Sequence, residues 1–296
     1  GLESGKTLAS KGLMNPQISY GEDVIARIAA ASTSPENAIK LQLLLIEALN
    51  QAVADLCSEV KAQPEQVVEA VVVGNTAIHH LFLCLPVKQL GLSPYVPATQ
   101  AALDVKARDL GLQIAPGAYV HLLPNIAGYV GADHVAVLLA THLSQADKTT
   151  LAIDIGTNTE ICLKHRDRMT SVSCASGPAF EGAHIKFGMR AAPGAIEHMR
   201  LEGEHLELQT IGYLPPVGIC GSGLLDIVAQ LRDNHVLDRR GRLGQHPRVR
   251  LNGNITEFIL AESPGQEALV LTQKDIRELQ LAKADIRLGI QPLVEA

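Results

Sequence analysis

Leu151-Ala152-Ile153-Asp154-Ile155-Gly156-Thr157-Asn158-Thr159-Glu160 carries the densest chemistry in the chain. A short apolar run ends on the carboxylate of Asp154, Gly156 opens the backbone, and three donors follow at Thr157, Asn158 and Thr159. Strand-forming residues resume at Ile161, Cys162 and Leu163, so the segment is expected as a hairpin tip between two strands, not as the start of a helix. A tip of this kind can aim several N–H groups and two hydroxyls at one anion, with Gly156 supplying backbone angles that other residues avoid. Asp154 stands where it could hold a divalent cation, directly or through water, beside the same phosphates. An ordinary hairpin with a polar turn fits the same residues equally well.

Two further glycine-rich stretches lie downstream. Gly177-Pro178-Ala179-Phe180-Glu181-Gly182-Ala183 reads either as a wall of a nucleotide pocket or as a Gly-Pro turn with a capping acid at Glu181. Pro216-Val217-Gly218-Ile219-Cys220-Gly221-Ser222-Gly223-Leu224 runs into a helix, where exposed N–H groups make an anion site and glycines let a ligand come near. Its Gly-x-x-Gly-x-Gly spacing matches neither the dinucleotide fingerprint nor the P-loop, which disfavours a Rossmann oxidoreductase. A helix cap without ligand is the alternative for that loop. Upstream, Asp133 follows the small residues Gly131 and Ala132 and reads as a metal or water-positioning residue, or as a plain acid in a first helical turn. His79 and His80 have no partner at ligand spacing, so one buried ring and one solvent-facing ring are expected. Met189-Arg190 and Arg200 are candidates for meeting phosphate or an acidic partner, although exposed arginines usually do neither.

Around these motifs the pattern alternates strands and helices. Residues 6–13 are weakly strand-like, Asn15-Pro16-Gln17 breaks them, and a short helix follows Tyr20-Gly21-Glu22-Asp23. Ser34-Pro35 marks a helix start, continued by a buried stripe at Ile39, Leu43, Ile46, Leu49, Val53, Leu56 and Val60. Residues 67–73 read as a strand covered on both faces, 77–83 as a helix, 119–123 as a strand and 132–142 as a small-residue helix. The polar stretch 144–149 separates two lobes, placed at 1–148 and 149–296. A three-strand meander opens the second lobe (151–155, 160–163, 169–174); a helix near Ser222, a strand over 257–260 and a charged helix from Thr272 complete it.

At 296 residues the chain is longer than one core usually supports. Hydrophobic residues make up 47% and charged residues 19%, which suits a globular α/β body. The net charge of −6 and the lack of a dense Lys/Arg run speak against nucleic acid, and no apolar run reaches membrane-spanning length. The five cysteines are scattered without a Cys-x-x-Cys pair, which reads as reduced thiols of a cytoplasmic protein and makes a zinc or iron–sulfur site from this chain alone improbable. With aromatics at 3%, the core must be aliphatic.

Taken in order, the strings Asn15-Pro16-Gln17 with Tyr20-Gly21-Glu22-Asp23, Val73-Gly74-Asn75, Leu123-Pro124-Asn125-Ile126-Ala127-Gly128 through Gly131-Ala132-Asp133, Asp154-Ile155-Gly156-Thr157-Asn158, Gly177-Pro178-Ala179-Phe180-Glu181-Gly182, Gly188-Met189-Arg190-Ala191-Ala192-Pro193-Gly194-Ala195-Ile196 and Gly218-Ile219-Cys220-Gly221-Ser222-Gly223 form one pattern. It resembles the ATP-binding domain of reductive activators of corrinoid proteins, within the acetate/sugar kinase, heat-shock chaperone and actin superfamily. The resemblance covers nearly the whole chain.

That resemblance implies two ribonuclease-H-like lobes closing a cleft on ATP and magnesium. It makes residues 154–159 the second phosphate loop, with Asp154 at the metal, and puts Asp133 on the helix connecting the lobes. By the same token Asp133 and Asp154 are the catalytic candidates, and Gly156, Thr157, Asn158, Thr159, Gly177, Glu181, Gly218, Gly221, Ser222 and Gly223 the nucleotide-binding ones. The family couples ATP binding and hydrolysis to electron transfer from an iron–sulfur domain to an inactive Co(II) corrinoid, restoring Co(I) in a methyl-transfer partner protein. A homodimer is in keeping with it. The family's first phosphate loop is expected before Gly1, its late adenosine motif beyond Ala296 and its cluster cysteines elsewhere, so the stretch is expected as an internal piece with terminal strands truncated and ATP hydrolysis as a property of the full-length protein. Two other functions compete: a small-molecule phosphotransferase of the superfamily with Asp133 activating an acceptor hydroxyl, and a non-catalytic docking domain for a corrinoid protein. Residues 188–196 favour the activator, because superfamily kinases do not generally carry that motif.

Overall fold

The computed structural model describes residues 1–21, 23–262, 265 and 267–295. They fall into two compact units, Gly1–Asp147 and Lys148–Ala296. Both combine helices with small sheets, an α/β construction.

In the first unit, residues 6–13 form no regular element, against the weak strand expected there. Leu8 and Leu13 are exposed, so no buried face rewards pairing. Asn15 caps a 3-10 turn, Pro16–Tyr20, by accepting from the Gln17 N–H at 2.9 Å. Asp23 caps α1 (Val24–Thr33) by accepting from the Ala26 N–H at 2.7 Å, while Glu22 lies outside the described residues. Ser34 caps α2 (Pro35–Glu59), with Pro35 at the first helical position, where its missing N–H costs nothing. The buried stripe of α2 differs from the periodic expectation: Ile39 and Leu43 are exposed, while Leu41, Ile46 and Cys57 are buried. Helix α1 crosses the start of α2 and draws Leu41 into a cluster with Ile28, Ala31, Leu81 and Leu90, so this crossing sets the phase of the stripe.

The unit continues with β1 (Glu69–Val72), α3 (Thr76–Phe82), β2 (Leu103–Lys106), α4 (Ala107–Leu110), β3 (Tyr119–Leu122) and α5 (Ala132–Ala140). Its sheet has the order β1-β3-β2, with β1 parallel and β2 antiparallel to β3. The first strand is not covered on both faces as expected. Ala70 and Val72 pack toward Phe82, Val120 and Leu122, but Val71 stays 62% exposed, because β1 is an edge strand with a helix on one side only.

The second unit opens with the expected meander, β4 (Thr150–Asp154), β5 (Thr159–His165) and β6 (Arg168–Cys174), paired antiparallel in that order. A second sheet follows from β7 (Ala195–Glu202), β8 (His205–Thr210) and β9 (Gly218–Ile219), ordered β8-β7-β9, and α6 (Gly221–Asp233) packs on β7. A third comprises β10 (Val249–Asn252), β11 (Ile255–Ala261) and β12 (Leu269–Thr272). One apolar cluster joins these last two sheets to α6 through Ile196, Leu201, Ile227, Leu231, Phe258 and Leu271. Helix α7 (Gln273–Glu295) then crosses the meander so closely that a Cβ on Gly289 would stand 2.9 Å from Ile161 Cδ1. Its start is fixed by buried Asp275, which accepts from the N–H groups of Thr272 (2.8 Å) and Lys186 (3.0 Å). Among the described residues no helix is long and apolar enough to cross a membrane.

Candidate functional site

The β4–β5 register sets Asp154 opposite Glu160 and leaves residues 155–158 as the hairpin tip. At that tip the Thr157 N–H and hydroxyl both donate to one carboxylate oxygen, Glu181 Oε1, at 3.2 and 2.6 Å. The Thr157 carbonyl accepts from the Gly177 N–H at 3.1 Å. Thr159 faces the other way. Its buried hydroxyl bonds to Ser176 Oγ, which also donates to the Gly156 carbonyl at 3.2 Å, so this residue holds the turn together from beneath. Gly156 does not adopt the left-handed angles expected of it. Space explains the glycine instead, since a Cβ would stand 3.1 Å from the Asn158 carbonyl oxygen.

The stretch after β6 is a 3-10 turn, Pro178–Glu181, with a left-handed glycine on either side: Gly177 at φ 76° and Gly182 at φ 87°. At Gly182 a Cβ would also lie 2.5 Å from the Met189 nitrogen. Glu181 is the last residue of this turn and not a capping acid at its start; its side chain is exposed and reaches the hairpin tip. Ser176 was not singled out from the sequence, because a serine before Gly-Pro carries no signal of its own until the strand register brings it under Gly156.

At α6 the N-cap residue, Cys220, supplies no side-chain acceptor; its thiol donates to the Ile196 carbonyl at 3.1 Å. The first-turn amides of Gly221, Ser222 and Gly223 therefore have no capping side chain, and Ser222 is exposed. The glycines here were expected to make room for a ligand, and the structure gives a different reason for them. A Cβ on Gly218 would meet Met189 Sδ at 2.6 Å, one on Gly221 the Phe180 carbonyl carbon at 3.1 Å, and one on Gly223 the Ile196 carbonyl carbon at 2.8 Å. All three are small so that the chain can pack against itself. The 178–181 turn thus touches the hairpin tip through Glu181 and α6 through Phe180.

Asp133 belongs to the first unit, in the first turn of α5. Its N–H donates to the Gly74 carbonyl (3.2 Å) and its Oδ1 accepts from the His134 N–H (2.8 Å). Gly131 lets α5 begin 2.7 Å, measured from its absent Cβ, from the Thr76 nitrogen. The loops that follow the parallel strands β1 and β3 meet there, where open α/β sheets usually take ligands. His79 and His80 are both buried, which corrects the expected solvent-facing ring. His80 shares its Nδ1 hydrogen with the Thr76 carbonyl (2.7 Å) and accepts the Ala98 N–H at Nε2 (2.9 Å), a neutral imidazole. Burial, and then the neighbouring His80, pushes the His79 pKa down to about 4. Arg200 pairs with Glu202 on the surface at 2.6 Å, away from any phosphate role.

Among the described residues no group of three or more His, Cys, Asp or Glu side chains is arranged to hold a metal. Asp154, opposite Glu160 in the register, and Glu181 bring carboxylates to this hairpin, the ligand type that magnesium takes together with waters and phosphate oxygens.

Comparison with known proteins adds the following. Residues 148–296 match the family model described as the C-terminal domain of RACo, the ASKHA domain, and residues 1–146 match the RACo middle region. The chain is 36% identical over 301 residues to the corrinoid activation enzyme RamQ of Eubacterium limosum, covering 97% of this chain and 50% of that protein. It is 31% identical over 193 residues to the [Co(II) methylated amine-specific corrinoid protein] reductase of Methanosarcina barkeri, covering 58% of this chain and 33% of that one. A solved structure, a reductive activator for corrinoid, iron–sulfur protein, superposes with a TM-score of 0.87 at 39% identity over 99% of this chain and 48% of its own. The chain spans half, or less, of the length of these relatives.

Proposed function

This chain belongs to the family of reductive activators of corrinoid proteins, and we propose that it is the nucleotide-binding core of such an activator, which uses ATP and magnesium to return a Co(II) corrinoid protein to Co(I) for methyl transfer. The observation that carries the reading is the convergence of the Thr157 N–H and hydroxyl on a single anionic oxygen. Donors set this way suit a phosphate oxygen as well as a carboxylate. The uncapped first turn of α6, joined to the tip through the 178–181 turn, offers a second group of amides to the same chain of phosphates.

On this reading the chain's own residues take the following roles. Thr157 binds phosphate oxygen by N–H and hydroxyl, the amides of Gly221, Ser222 and Gly223 add the α6 dipole, and Asp154 would hold a magnesium ion beside the phosphates. Thr159, Ser176 and Gly156 keep the tip in shape, so the donors need no rearrangement when the anion arrives. Magnesium, once bound, neutralises phosphate charge. The nucleotide supplies no electron; that comes from a separate donor, and ATP acts by binding one conformation of the activator–corrinoid complex better than the other. The proposed partner is accordingly a corrinoid protein of a methyltransferase system.

The test is phosphate release by the full-length protein with magnesium. Release that rises sharply when a Co(II) corrinoid protein is added supports the reading. ADP formation that ignores the corrinoid protein, needs a small hydroxyl acceptor and leaves the phosphoryl group on that acceptor with no free phosphate sinks it in favour of a phosphotransferase.

A further inference from the structure

Resting on that nucleotide reading, we propose that Glu181 is an internal occupant of the anion cradle, a carboxylate latch that a nucleotide phosphate must displace from Thr157. The two donors of Thr157 meet on Glu181 Oε1 and not on two different acceptors. As the last residue of its 3-10 turn, Glu181 is not placed to cap that turn's own N–H groups. An exposed acid gains little from a surface contact as such, so its position on the tip is best understood through the cradle it fills.

The turn that carries Glu181 is anchored in the core of the second unit through buried Ala179 and through Phe180, so the exposed carboxylate side chain, and not the turn, is the part that can leave the tip. Gly177 and Gly182 bracket it at φ 76° and 87°, angles at which other residues are strained, so the bends at both ends belong to glycines. At the tip side it is tied by Glu181 and by the Gly177 N–H on the Thr157 carbonyl. Next to Glu181, the Phe180 carbonyl lies against Gly221 in the first turn of α6, where a Cβ would collide with it. A phosphate on Thr157 takes both donors from the carboxylate and puts like charge beside it. The latch opens as the exposed Glu181 side chain swings off the tip and leaves both Thr157 donors to the phosphate.

Calorimetry of ATP–magnesium binding to the full-length protein, as wild type, Glu181→Gln and Glu181→Ala, tests this, with thermal unfolding run on each to show that the exposed substitutions leave the fold intact. Loss of the competitor predicts binding about tenfold tighter for Glu181→Ala, equivalent to about 1.4 kcal/mol. Glu181→Gln falls between, since its amide oxygen still accepts from Thr157 but without charge. Binding seen in the variants alone also supports the latch. Equal affinity in all three overturns it and leaves the nucleotide reading standing. Weaker binding by Glu181→Ala overturns it too, by making Glu181 a ligand of the nucleotide or its cation. No binding by any of the three overturns the nucleotide reading itself.

Discussion

Gly223→Ala separates two physical arguments by sign. Helix propensity alone predicts that alanine in α6 stabilises the protein by up to about 1 kcal/mol over glycine. The tertiary structure predicts the reverse. The new Cβ would enter the Ile196 carbonyl, standing 2.8 Å from its carbon and 3.3 Å from Glu197 Cα. Neither partner can step aside, because β7 is held on one edge by β8 and on the other by β9. The helix must therefore retreat, which costs about 1–3 kcal/mol as overpacking. Retreat also breaks the bonds that the Cys220 N–H (3.3 Å) and thiol (3.1 Å) make to the same carbonyl, a further loss of about 1 kcal/mol. With the propensity gain subtracted, the net effect is a destabilisation of about 2 kcal/mol, or a fall of about 4–8 °C in the unfolding midpoint of a unit this size. Urea unfolding followed by circular dichroism measures it, and calorimetry should show weaker ATP–magnesium binding as the first turn of α6 moves. A variant as stable as the wild type, or more so, would refute the packing argument.

Other expectations follow from the same structure. Asp154→Ala in the full-length protein should weaken magnesium-dependent nucleotide binding about tenfold while leaving the unfolding midpoint nearly unchanged; unaltered affinity removes Asp154 from the site. Asp275→Ala leaves the N–H groups of Thr272 and Lys186 without their buried acceptor and should cost about 2–4 kcal/mol in urea unfolding, so a loss below about 0.5 kcal/mol would show that water replaces the carboxylate freely. His79 is held neutral in the fold, with its pKa lowered to about 4 from 6.5, so the unfolded chain takes up the proton first. Its contribution is therefore complete above about pH 6.5 and is lost as the pH falls toward 4, amounting to about 3 kcal/mol, and burial of His80 acts in the same direction. His79→Phe should flatten the acid side of the stability profile; profiles of equal slope for wild type and variant would refute the assignment.

How much of this could be read in advance differs from element to element. The meander was legible because alternation on strands paired through short turns is a local property, and Ser34-Pro35 announced α2 through cap chemistry contained in two adjacent residues. Asp23 and Asn75 likewise cap helices with their own side chains. The β7–β8 hairpin was not singled out, although Leu201, Leu206 and Leu208 join the core, because charged residues on its other face dilute the apolar signal. The phase of α2 could not be read because periodicity fixes a spacing but not which side of the helix another element will cover.

The same division runs through the candidate site. Family-specific strings marked an α/β protein of this family from sequence alone, and named Asp154, Thr157 and Ser222 as candidates for an anion site, because a string of residues preserves chemistry whether or not its surroundings are known. The sequence also placed a glycine at each tight point. Why each glycine is there was decided only by the fold: Gly218, Gly221 and Gly223 are small because Met189, Phe180 and Ile196 press on them from elements distant in the chain. So was the partner of Thr157, since an acid 24 positions away becomes its acceptor only when the glycine-bracketed turn carries it back to the tip. Donors and acceptors are properties of residues; which of them meet is settled by how strands register and helices cross.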